Sequence, residues 1–375
     1  MTVTYRVLLL PGDGVGPEVT REAAATLQQV ADARGFTLEM PEALIGGSAI
    51  DTYGVPLRDE DVAAAQDADA ILLGAVGGPA WDAQPRDLKP ERGLLRMRAS
   101  LELFANLRPI KVFDALVDSS PVKAEVVRGV DLLIVRELTG GLYFGQPSKV
   151  WNGDEGRQAV DTLEYRESEI TRVIDLAFRL AAERRGLVTS VDKANVLSSS
   201  VLWRTIANEI GQQYPEQTLE HALVDSCAMQ LIRTPRAFDV MVMENMFGDI
   251  LSDEAAVLAG SLGMLPSASV NGRAPSRAGS SGVQVGMYEP IHGSAPDIAG
   301  KGIANPCGAI LSAAMLLRTS LGLGAEASAI EQAVEDTLGA GVRTRDIATE
   351  GDAASTTEFG DEVRARLATT LAALA

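Results

Sequence analysis

Short apolar runs alternate with stretches of helical periodicity along the first part of the chain. Residues 5–10 (YRVLLL) and 70–73 (AILL) predict buried strands, and residues 37–40 predict another strand between them. Apolar positions at helical spacing predict helices over residues 17–33 and 59–65. This order of strand, helix, strand, helix and strand predicts an α/β fold with a largely parallel sheet.

The pattern changes in the middle of the chain. A helix is predicted over residues 92–103, and the segments VDLLIVREL and GLYFGQPSKV predict consecutive strands or a β-arm. Two long helices follow, over residues 167–185 and 198–211, with a strand over residues 187–190 between them. We found no internal repeat that would indicate a solenoid.

Two polar, glycine-containing segments precede a helical C-terminal region. The segment SASVNGRAPSRAGSSG follows Leu265 and predicts a flexible surface loop. The segment HGSAPDIAGKGIANP, residues 292–306, could hold a nucleotide through backbone amides for phosphates and the Asp297 carboxylate for ribose hydroxyls; a plain connecting loop is the alternative. Residues 306–375 predict mostly helix.

An acidic helical segment, ENMFGDILSDEA, follows the strand predicted over residues 238–243. Asp249 and Asp253 are four residues apart, which places both carboxylates on one helix face with Cβ atoms about 5–6 Å apart. Like charges at this distance repel unless a cation lies between them, and oxygen ligands suit Mg²⁺ or Mn²⁺. A solvated acidic face is the alternative, and the apolar neighbours Met246 and Phe247 argue against it.

Composition limits the partners of this chain. Its 375 residues suffice for one large or two medium domains, and 46% hydrophobic with 22% charged residues is typical of a soluble globular protein. The net charge of -18 argues against nucleic acid and against an anionic membrane, so an anionic substrate needs a local basic pocket. No apolar run reaches the roughly 18–20 residues of a membrane span. The N-terminus reads as a first strand, and the two cysteines, Cys227 and Cys307, fit a reducing cytoplasm, which is the expected location.

The glycine-rich segment LPGDGVGPEV lies between a predicted strand and a predicted helix, as a dinucleotide-binding loop does. The dinucleotide fingerprint requires G-x-G-x-x-G, and here Gly12 and Gly14 are followed by Pro17 in place of the third glycine. The sequence therefore predicts no standard Rossmann site at this position, and another segment must hold any nucleotide.

Three arginines are candidates for the basic pocket. Arg108 precedes a proline, Arg136 ends a predicted strand, and Arg98 lies on the helix predicted over residues 92–103. One face of that helix combines apolar and charged positions: Glu91, Leu94, Leu95 and Arg98. Such a face suits a ligand with a hydrocarbon group and a carboxylate, since arginine binds carboxylates in a bidentate manner. Each arginine taken singly is also compatible with a solvated surface position.

Several reactive side chains follow predicted strands. Lys193 comes directly after one strand and Asp225 ends another, as does Arg136. Because ligands of open α/β sheets gather at the carboxyl ends of strands, we expect these residues to converge with the acidic pair. Near a cation and arginines the neutral form of Lys193 would be favoured, so that it could act as a base. Tyr143 lies in a turn flanked by glycines.

These segments together resemble the β-decarboxylating dehydrogenases, the isocitrate/isopropylmalate dehydrogenase-like family. The resemblance covers nearly the whole chain, and its most specific parts are FGDILSDEA and HGSAPDIAGKGIANP; further matches are GAVGGPAW, RGLLRMR, LFANLRPIKV, VRELTGGLYFG, VDKANVL, GSLGMLPSAS and STTEFGD. It implies a two-domain α/β fold with a mixed, largely parallel sheet that is not a standard Rossmann fold. Residues 1–103 with 260–375 would form a nucleotide-binding domain, and residues 104–259 a domain for substrate, metal and dimerisation.

The resemblance also implies roles for individual residues. The carboxylates of a malate-type substrate would be bound by Arg98, Arg108 and Arg136. A Mg²⁺ or Mn²⁺ ion, which polarises the new ketone, would be held by Asp225, Asp249 and Asp253. Lys193 would accept the hydroxyl proton while hydride passes to NAD, and Tyr143 would help to reprotonate the enol after CO₂ leaves. Lys193 and Asp225 would reach the site from the partner subunit, so the resemblance implies a homodimer with shared active sites.

Substrate and cofactor choice follow from particular positions. Leu94 and Leu95 would offer an apolar surface for an isopropyl group, where a relative acting on isocitrate would place a serine, so 3-isopropylmalate is the expected substrate. Asp297 would repel the 2′-phosphate of NADP, which favours NAD. The expected cofactor-binding residues are Gly77, Gly78, Glu289, His292, Gly293, Ser294, Ala295, Asp297, Ile298 and Asn305.

Alternatives remain open at this stage. Within the same chemistry they are D-malate or tartrate and then homoisocitrate as substrate. A metal-dependent hydrolase of an anionic substrate and a catalytically inactive binding protein are alternatives of other classes. One segment departs from the family pattern, because residues 271–282 make the connection between PSAS and EPIHG longer than usual.

Overall fold

A computed structural model describes residues 3–272, 286–348 and 353–374. Its strands, in chain order, are β1 (Thr4–Gly12), β2 (Thr37–Glu39), β3 (Ala70–Ala75), β4 (Ala105–Lys111), β5 (Asp131–Glu137), β6 (Lys149–Gly153), β7 (Gly156–Val160), β8 (Leu187–Asp192), β9 (Thr218–Leu223), β10 (Val240–Met243), β11 (Pro266–Val270) and β12 (Met287–Pro290). Ten of these strands form one sheet in the order β2-β1-β3-β12-β11-β4-β5-β10-β8-β9, and β6 pairs only with β7.

The helices cover both faces of this sheet. They are α1 (Gly16–Arg34), α2 (Gly47–Tyr53), α3 (Asp59–Gln66), α4 (Pro90–Ser100), α5 (Ala124–Val127), α6 (Glu167–Ala182), α7 (Ser198–Gly211), α8 (Val224–Arg233), α9 (Asn245–Ala256), α10 (Cys307–Thr319), α11 (Gly324–Gly339) and α12 (Thr356–Ala372). Alternate residues of β1 belong to different apolar clusters: Val7 and Leu9 to one, Leu8 and Leu10 to another. Strands buried on both faces in this way are typical of an α/β sheet.

The sheet has two parallel parts joined by antiparallel strands in the middle. Strands β2, β1, β3 and β12 run parallel to one another in one part, and strands β5, β10, β8 and β9 run parallel to one another in the other part. Between these parts, β4 runs antiparallel to β5 and to β11, and β11 runs antiparallel to β12. This mixed, largely parallel architecture confirms the predicted fold class. The division into residues 1–103 with 260–375 and residues 104–259 stays a prediction.

Two local predictions were wrong. In the segment GLYFGQPSKV, Gly141–Tyr143 forms a 3-10 turn and the strand begins only at Lys149, because Gly141 adopts a φ of 75° that a strand does not have. The start of the predicted surface loop is the strand β11, buried at every residue between β4 and β12. The serines of β11 are typical of loops, so the sequence did not predict this strand. One of them, Ser267, donates a hydrogen bond to the carbonyl of Glu289 at 3.0 Å. Residues 273–282 of that predicted loop lie outside the described residues.

The glycine-rich segment after β1 is a structural junction. The buried carboxylate of Asp13 accepts backbone N–H hydrogen bonds from Gly47, Ser48 and Gly77, each at 2.8 Å. Burial raises the pKa of Asp13, and the three N–H donors oppose that shift. Gly14 has a φ of 61°, and a Cβ there would lie 1.9 Å from the carbonyl oxygen of Ser294. The segment therefore fixes the loops that carry Gly77 and Ser294.

No helix among the described residues is long and apolar enough to cross a membrane.

Candidate active site

Arginines from the central antiparallel strands meet the acidic helix α9. Arg136 in β5 pairs across the ladder with Asn106 in β4, and Arg108 follows two residues later in β4. Gly248 permits the contact with α9, since a Cβ at this position would lie only 2.5 Å from the Cγ atom of Arg136. The long side chain of Arg136 therefore lies against the helix, and its guanidinium contacts Asn245 and Asp249.

Asp249 is the centre of the polar contacts. One carboxylate oxygen of Asp249 accepts a short hydrogen bond from Arg136, and the other accepts a hydrogen bond from the Tyr143 hydroxyl at 2.9 Å. Arg108 Nη2 lies 4.0 Å from Asp249, and Arg108 Nη1 donates to Asp253 at 3.1 Å. The two predicted metal-binding aspartates of α9 thus lie beside two of the three predicted carboxylate-binding arginines.

Buried amide and hydroxyl groups hold these arginines in place. Asn245 Oδ1 accepts hydrogen bonds from Arg136 Nε at 3.0 Å and from Arg136 Nη2 at 2.9 Å. The Ser252 hydroxyl accepts a hydrogen bond from Arg108 Nη1 at 2.5 Å. Burial lowers the pKa of both arginines, and nearby aspartates oppose this shift. Each charge-assisted hydrogen bond contributes about 1.5–3 kcal/mol to keeping the guanidinium buried.

Sequence reasoning missed Asn245 and Ser252 as site residues. A signal for Asn245 was present, because Asn245, Asp249 and Asp253 succeed one another at intervals of four along α9 and share one helix face. Ser252 has no such signal.

Tyr143 combines an exposed ring with a fixed hydroxyl. Its ring centre lies 5.9 Å from the guanidinium carbon of Arg136. Partial burial is the main cause that raises the pKa of Tyr143, and its hydrogen bond to Asp249 acts in the same direction. The phenol is therefore protonated at neutral pH and can donate a proton.

A cavity of about 820 Å³ opens beside this cluster. Its lining includes Leu95, Arg98, Arg136, Tyr143 and Asn245. Arg98 Nη2 donates to Glu289 Oε1 at 2.5 Å, which joins a predicted substrate residue to a predicted cofactor residue.

The helix face turned to this cavity differs from the predicted one. Arg92, Leu95, Arg98 and Ala99 of α4 line it. Leu94 instead packs against the apolar cluster that contains Leu8 and Ile71. Glu91 points to the loop after β3, where its Oε1 would lie 2.7 Å from a Cβ built on Gly77.

Lys193 and Asp225 form a pair of their own. Lys193 Nζ donates to Asp225 Oδ1 at 2.5 Å, and this hydrogen bond lowers the pKa of Asp225. Asp225 lies in the first turn of α8, two residues after the end of β9, whereas the sequence predicted it at the end of the strand. No hydrogen bond or ion pair joins this pair to Asp249 or Asp253 in the described part of one chain. The described residues of a single chain also contain no group of three or more acidic, histidine or cysteine side chains suited to a metal ion.

A second cavity, of about 440 Å³, lies beside the loop that follows β12. Five of the predicted cofactor-binding residues line it: His292, Gly293, Ala295, Ile298 and Asn305. Asp297 is exposed beside them, and the carbonyl of Ser294 accepts a hydrogen bond from Val15 N at 2.8 Å. Gly77 and Gly78 have φ angles of 105° and 151°, and they, like Glu289, are not in this lining.

Two polar groups in the second cavity are notable. His292 Nε2 is buried and has no hydrogen-bond partner among the described residues, and burial lowers the pKa of His292, which keeps the ring neutral. Asn305 Nδ2 donates to Asp346 at 3.0 Å. Sequence reasoning missed Asp346 and its neighbour Arg345, which both line the cavity and belong to a segment that carried no motif.

The sheet and the arginine–aspartate cluster agree with a family of dehydrogenases. A model of the family described as isocitrate/isopropylmalate dehydrogenase matches residues 6–363, and the chain belongs to this family. Among its curated relatives, the 3-isopropylmalate dehydrogenase of Bacillus subtilis is 59% identical over 363 residues, 96% of this chain and 97% of the relative. The 3-isopropylmalate dehydrogenase of Anaeromyxobacter dehalogenans is 56% identical over 363 residues, 97% of this chain and 99% of the relative.

Solved structures give the same family. The crystal structure of an isocitrate dehydrogenase from Methylococcus capsulatus matches 97% of this chain and 99% of its own length, with a TM-score of 0.82 and 32% identity. A β-decarboxylating dehydrogenase from Thermococcus kodakarensis matches 97% of this chain and 96% of its own length, with a TM-score of 0.76 and 32% identity.

Proposed function

We propose that this chain oxidises (2R,3S)-3-isopropylmalate and removes its β-carboxylate, giving 4-methyl-2-oxopentanoate and CO₂ with reduction of NAD, a step of leucine biosynthesis. The observation that carries the proposal is the convergence of Arg108, Arg136 and Tyr143 on Asp249 at the edge of a cavity. The curated relatives that bear the name 3-isopropylmalate dehydrogenase support the same substrate.

The side chains fit a hard divalent cation. Asp249 and Asp253 offer carboxylate oxygens on successive turns of α9, with side chains 38% and 68% exposed. Oxygen ligands alone suit Mg²⁺ or Mn²⁺, and the third carboxylate would be Asp225 of the partner subunit. Such a cation, when bound, stabilises the negative charge that develops on the substrate oxygen during decarboxylation.

The second cavity fits the adenosine part of NAD. Its lining combines apolar Ile298 with the neutral ring of His292, whose buried Nε2 lacks a partner among the described residues. Asp297 next to Ile298 would repel a 2′-phosphate, which favours NAD over NADP. NAD, when bound, accepts the hydride from C2 of the substrate.

The chain's own residues divide the remaining work. Arg98, Arg108 and Arg136 bind the substrate carboxylates. In the free chain Asp249 accepts hydrogen bonds from Arg136 and Tyr143, and it gives up these two partners when the substrate binds. Lys193 of the partner subunit accepts the hydroxyl proton at Nζ. Tyr143 donates its phenolic proton to the carbon that has lost CO₂.

The position of Leu95 supports the proposal that the substrate carries an isopropyl group. It lines the large cavity within the same helix as Arg98, so a hydrocarbon group and a carboxylate can be bound together. D-malate lacks the branched group and leaves this contact unmade, which costs about 1–3 kcal/mol per methylene in an apolar pocket.

A homodimer is supported by exposed apolar side chains on neighbouring helices. Met229 and Ile232 lie one turn apart on α8, and α9 exposes Ile250. An apolar surface of this kind is typical of a subunit interface. We propose a cytoplasmic location, because Cys227 and Cys307 are both free and buried, which fits a reducing compartment.

The proposal is tested by absorbance of reduced nicotinamide in the presence of Mg²⁺. We expect NAD reduction with 3-isopropylmalate, and a lower kcat/KM with D-malate, tartrate and homoisocitrate. The control exchanges NAD for NADP, which we expect to lower kcat/KM. No NAD reduction with any of these acids would contradict the proposal and favour a hydrolase. Higher kcat/KM with D-malate would contradict the assigned substrate.

Replacement of Tyr143 by phenylalanine should slow decarboxylation more than hydride transfer, because the lost hydroxyl acts only after oxidation. We expect kcat for the complete reaction to fall by about 10²-fold, the range of one proton-transfer group. The deuterium isotope effect of substrate labelled at C2 should approach one in the variant. Equal losses in both steps, with an unchanged isotope effect, would contradict this role for Tyr143.

A further inference from the structure

Two buried carboxylates lie side by side beneath the arginine–aspartate cluster. Glu137 ends β5, and Glu244 follows β10, the parallel neighbour of β5. The register pairs Met243 with Arg136, so these glutamates occupy the next pair of positions. Glu137 is 0% exposed and Glu244 is 5% exposed. Glu244 also caps α9, since its carboxylate accepts hydrogen bonds from Met246 N and Phe247 N.

The hydroxyl of Tyr165 joins these two strand ends. It accepts a hydrogen bond from Asn245 N at 2.9 Å and lies 3.2 Å from Glu137 Oε2 and 3.4 Å from Glu244 Oε2. Burial raises the pKa of Tyr165, so its proton stays available for one of the two carboxylates. A single hydroxyl thus contacts the end of β5, the residue after β10 and the first residue of α9.

The ring of Tyr165 also shapes the turn that carries Tyr143. A Cβ on Gly140 would lie 2.7 Å from Tyr165 Cε1, and a Cβ on Gly141 would lie 2.6 Å from the Tyr165 hydroxyl. Gly140 N donates to Glu137 at 2.8 Å, and the Gly140 carbonyl accepts from Asn245 Nδ2 at 3.2 Å. The turn, the hydroxyl and the start of α9 form one network.

We propose that Tyr165 is a positioning residue for the active site. Its hydroxyl sets the first residue of α9 relative to β5, so that Asn245 holds Arg136 and Asp249 faces Tyr143. Its ring sets the turn that brings Tyr143 to Asp249. Tyr165 lies outside the lining of the large cavity, so it acts through these residues and not by contact with substrate. The inference rests on the proposed function, because that function gives Arg136, Tyr143 and Asp249 their roles.

The first test removes one oxygen atom, in the variant Tyr165→Phe. We expect kcat/KM for 3-isopropylmalate to fall by about 10- to 100-fold, the range found when groups that orient ligands are removed. Calorimetric binding of 3-isopropylmalate without NAD should weaken by at least about threefold, because Arg136 loses its fixed position. Both are measured on protein shown to be fully folded at the assay temperature.

Tyr214→Phe is the matched control. The Tyr214 hydroxyl also donates to a carboxylate, Asp175, at 2.5 Å, and its ring stacks on Phe178 at 4.9 Å. This variant loses one hydrogen bond to a carboxylate, and in the described part of the chain Tyr214 has no hydrogen bond to a site residue, so its kinetics should match those of the wild type.

A double-mutant cycle separates positioning from general destabilisation. In an Asn245→Ala background, the further change Tyr165→Phe should lower kcat/KM by less than about threefold, because the two residues act through one network. Gly141→Ala, which introduces a methyl group against the Tyr165 hydroxyl, provides a second variant if Tyr165→Phe does not fold. Gly141→Ala should lower kcat/KM for 3-isopropylmalate, whereas the control Tyr214→Phe should keep the wild-type value.

The outcomes distinguish the two proposals. A lower melting temperature of Tyr165→Phe with unchanged kcat, KM and substrate binding would overturn the positioning role alone. Full additivity of Tyr165→Phe and Asn245→Ala would overturn it as well. A folded wild-type protein that does not reduce NAD with 3-isopropylmalate would overturn the proposed function.

Discussion

Replacement of Asp249 by asparagine is expected to lower kcat/KM for 3-isopropylmalate by about 10²–10³-fold, the range for removal of one group that stabilises developing charge. The carboxylate of Asp249 accepts hydrogen bonds from both Arg136 and Tyr143. It is also one of the two α9 carboxylates proposed to hold the cation. Asparagine keeps the size of the side chain, removes its charge and replaces one acceptor oxygen by an NH₂ donor.

The substitution Asp249→Asn should weaken metal binding more than substrate binding. Manganese affinity, measured by calorimetry without substrate, should fall, because the charge that attracts the cation is gone. Binding of the substrate carboxylates should change by less than about tenfold, because Arg136 and Arg108 then lack a competing carboxylate. A loss of manganese affinity without a comparable loss of substrate affinity would indicate that Asp249 is a metal ligand, since unfolding would weaken both.

Glu254→Gln is the matched control for Asp249→Asn. Glu254 lies on the same helix, next to Asp253, and within the described residues it forms no hydrogen bond or ion pair with the two arginines. Removal of its charge should leave kcat/KM and manganese affinity near the wild-type values. A variant Asp249→Asn that keeps wild-type manganese affinity and turnover would contradict the metal role of Asp249.

The regular elements of the fold follow from local sequence patterns, and the exceptions have local causes. The helix predicted over residues 198–211 is Ser198–Gly211. The helix predicted over residues 167–185 ends already at Ala182, shortly before Gly186 with a φ of 77°. The sequence did not predict strand β11, because serine-rich segments are typical of loops. Inside the sheet the Ser267 hydroxyl is paired, which is a tertiary effect that composition cannot reveal.

The candidate site could be predicted as far as its residues follow strands or lie on one helix face. Arg136 and Asp249 were expected together by that rule, and the structure brings them into contact, whereas their catalytic roles stay predictions. Tyr165 could not be predicted, because it contacts Asn245 across 80 positions of sequence. Helical spacing and the family resemblance both predicted Leu94 on the substrate side, whereas in the structure Leu94 packs against the apolar core.

Lys193 and Asp225 form a pair that is separate from the acidic residues of α9. Both residues follow strands as predicted, and they contact each other at 2.5 Å. Neither contacts Asp249 within the described part of the chain. Their positions after neighbouring strands therefore do not bring Lys193 and Asp225 to Asp249 within the described residues of one chain. A site shared between two subunits predicts that two different inactive variants can restore activity in a mixed dimer, whereas a site within one chain does not.

Two inactive variants, Lys193→Met and Asp249→Asn, should restore activity to each other in a mixed dimer. Lys193→Met alone should lower kcat by about 10²–10⁴-fold, the range for a general base, while calorimetric binding of 3-isopropylmalate persists. In the mixed dimer, one site combines Asp249 of the first chain with Lys193 of the second, and both are unaltered. The other site carries both substitutions.

The mixed dimer, purified after co-expression with two different affinity tags, should therefore show about half of the wild-type kcat per dimer, since a twofold-symmetric dimer has two equivalent sites and one is intact. The control joins Lys193→Met and Asp249→Asn in one chain and pairs it with a wild-type chain. Each site of that dimer contains one defect, so it should be nearly inactive if the site is shared. If each site lies within one chain, the results reverse: the first mixed dimer is inactive and the control keeps about half of the activity.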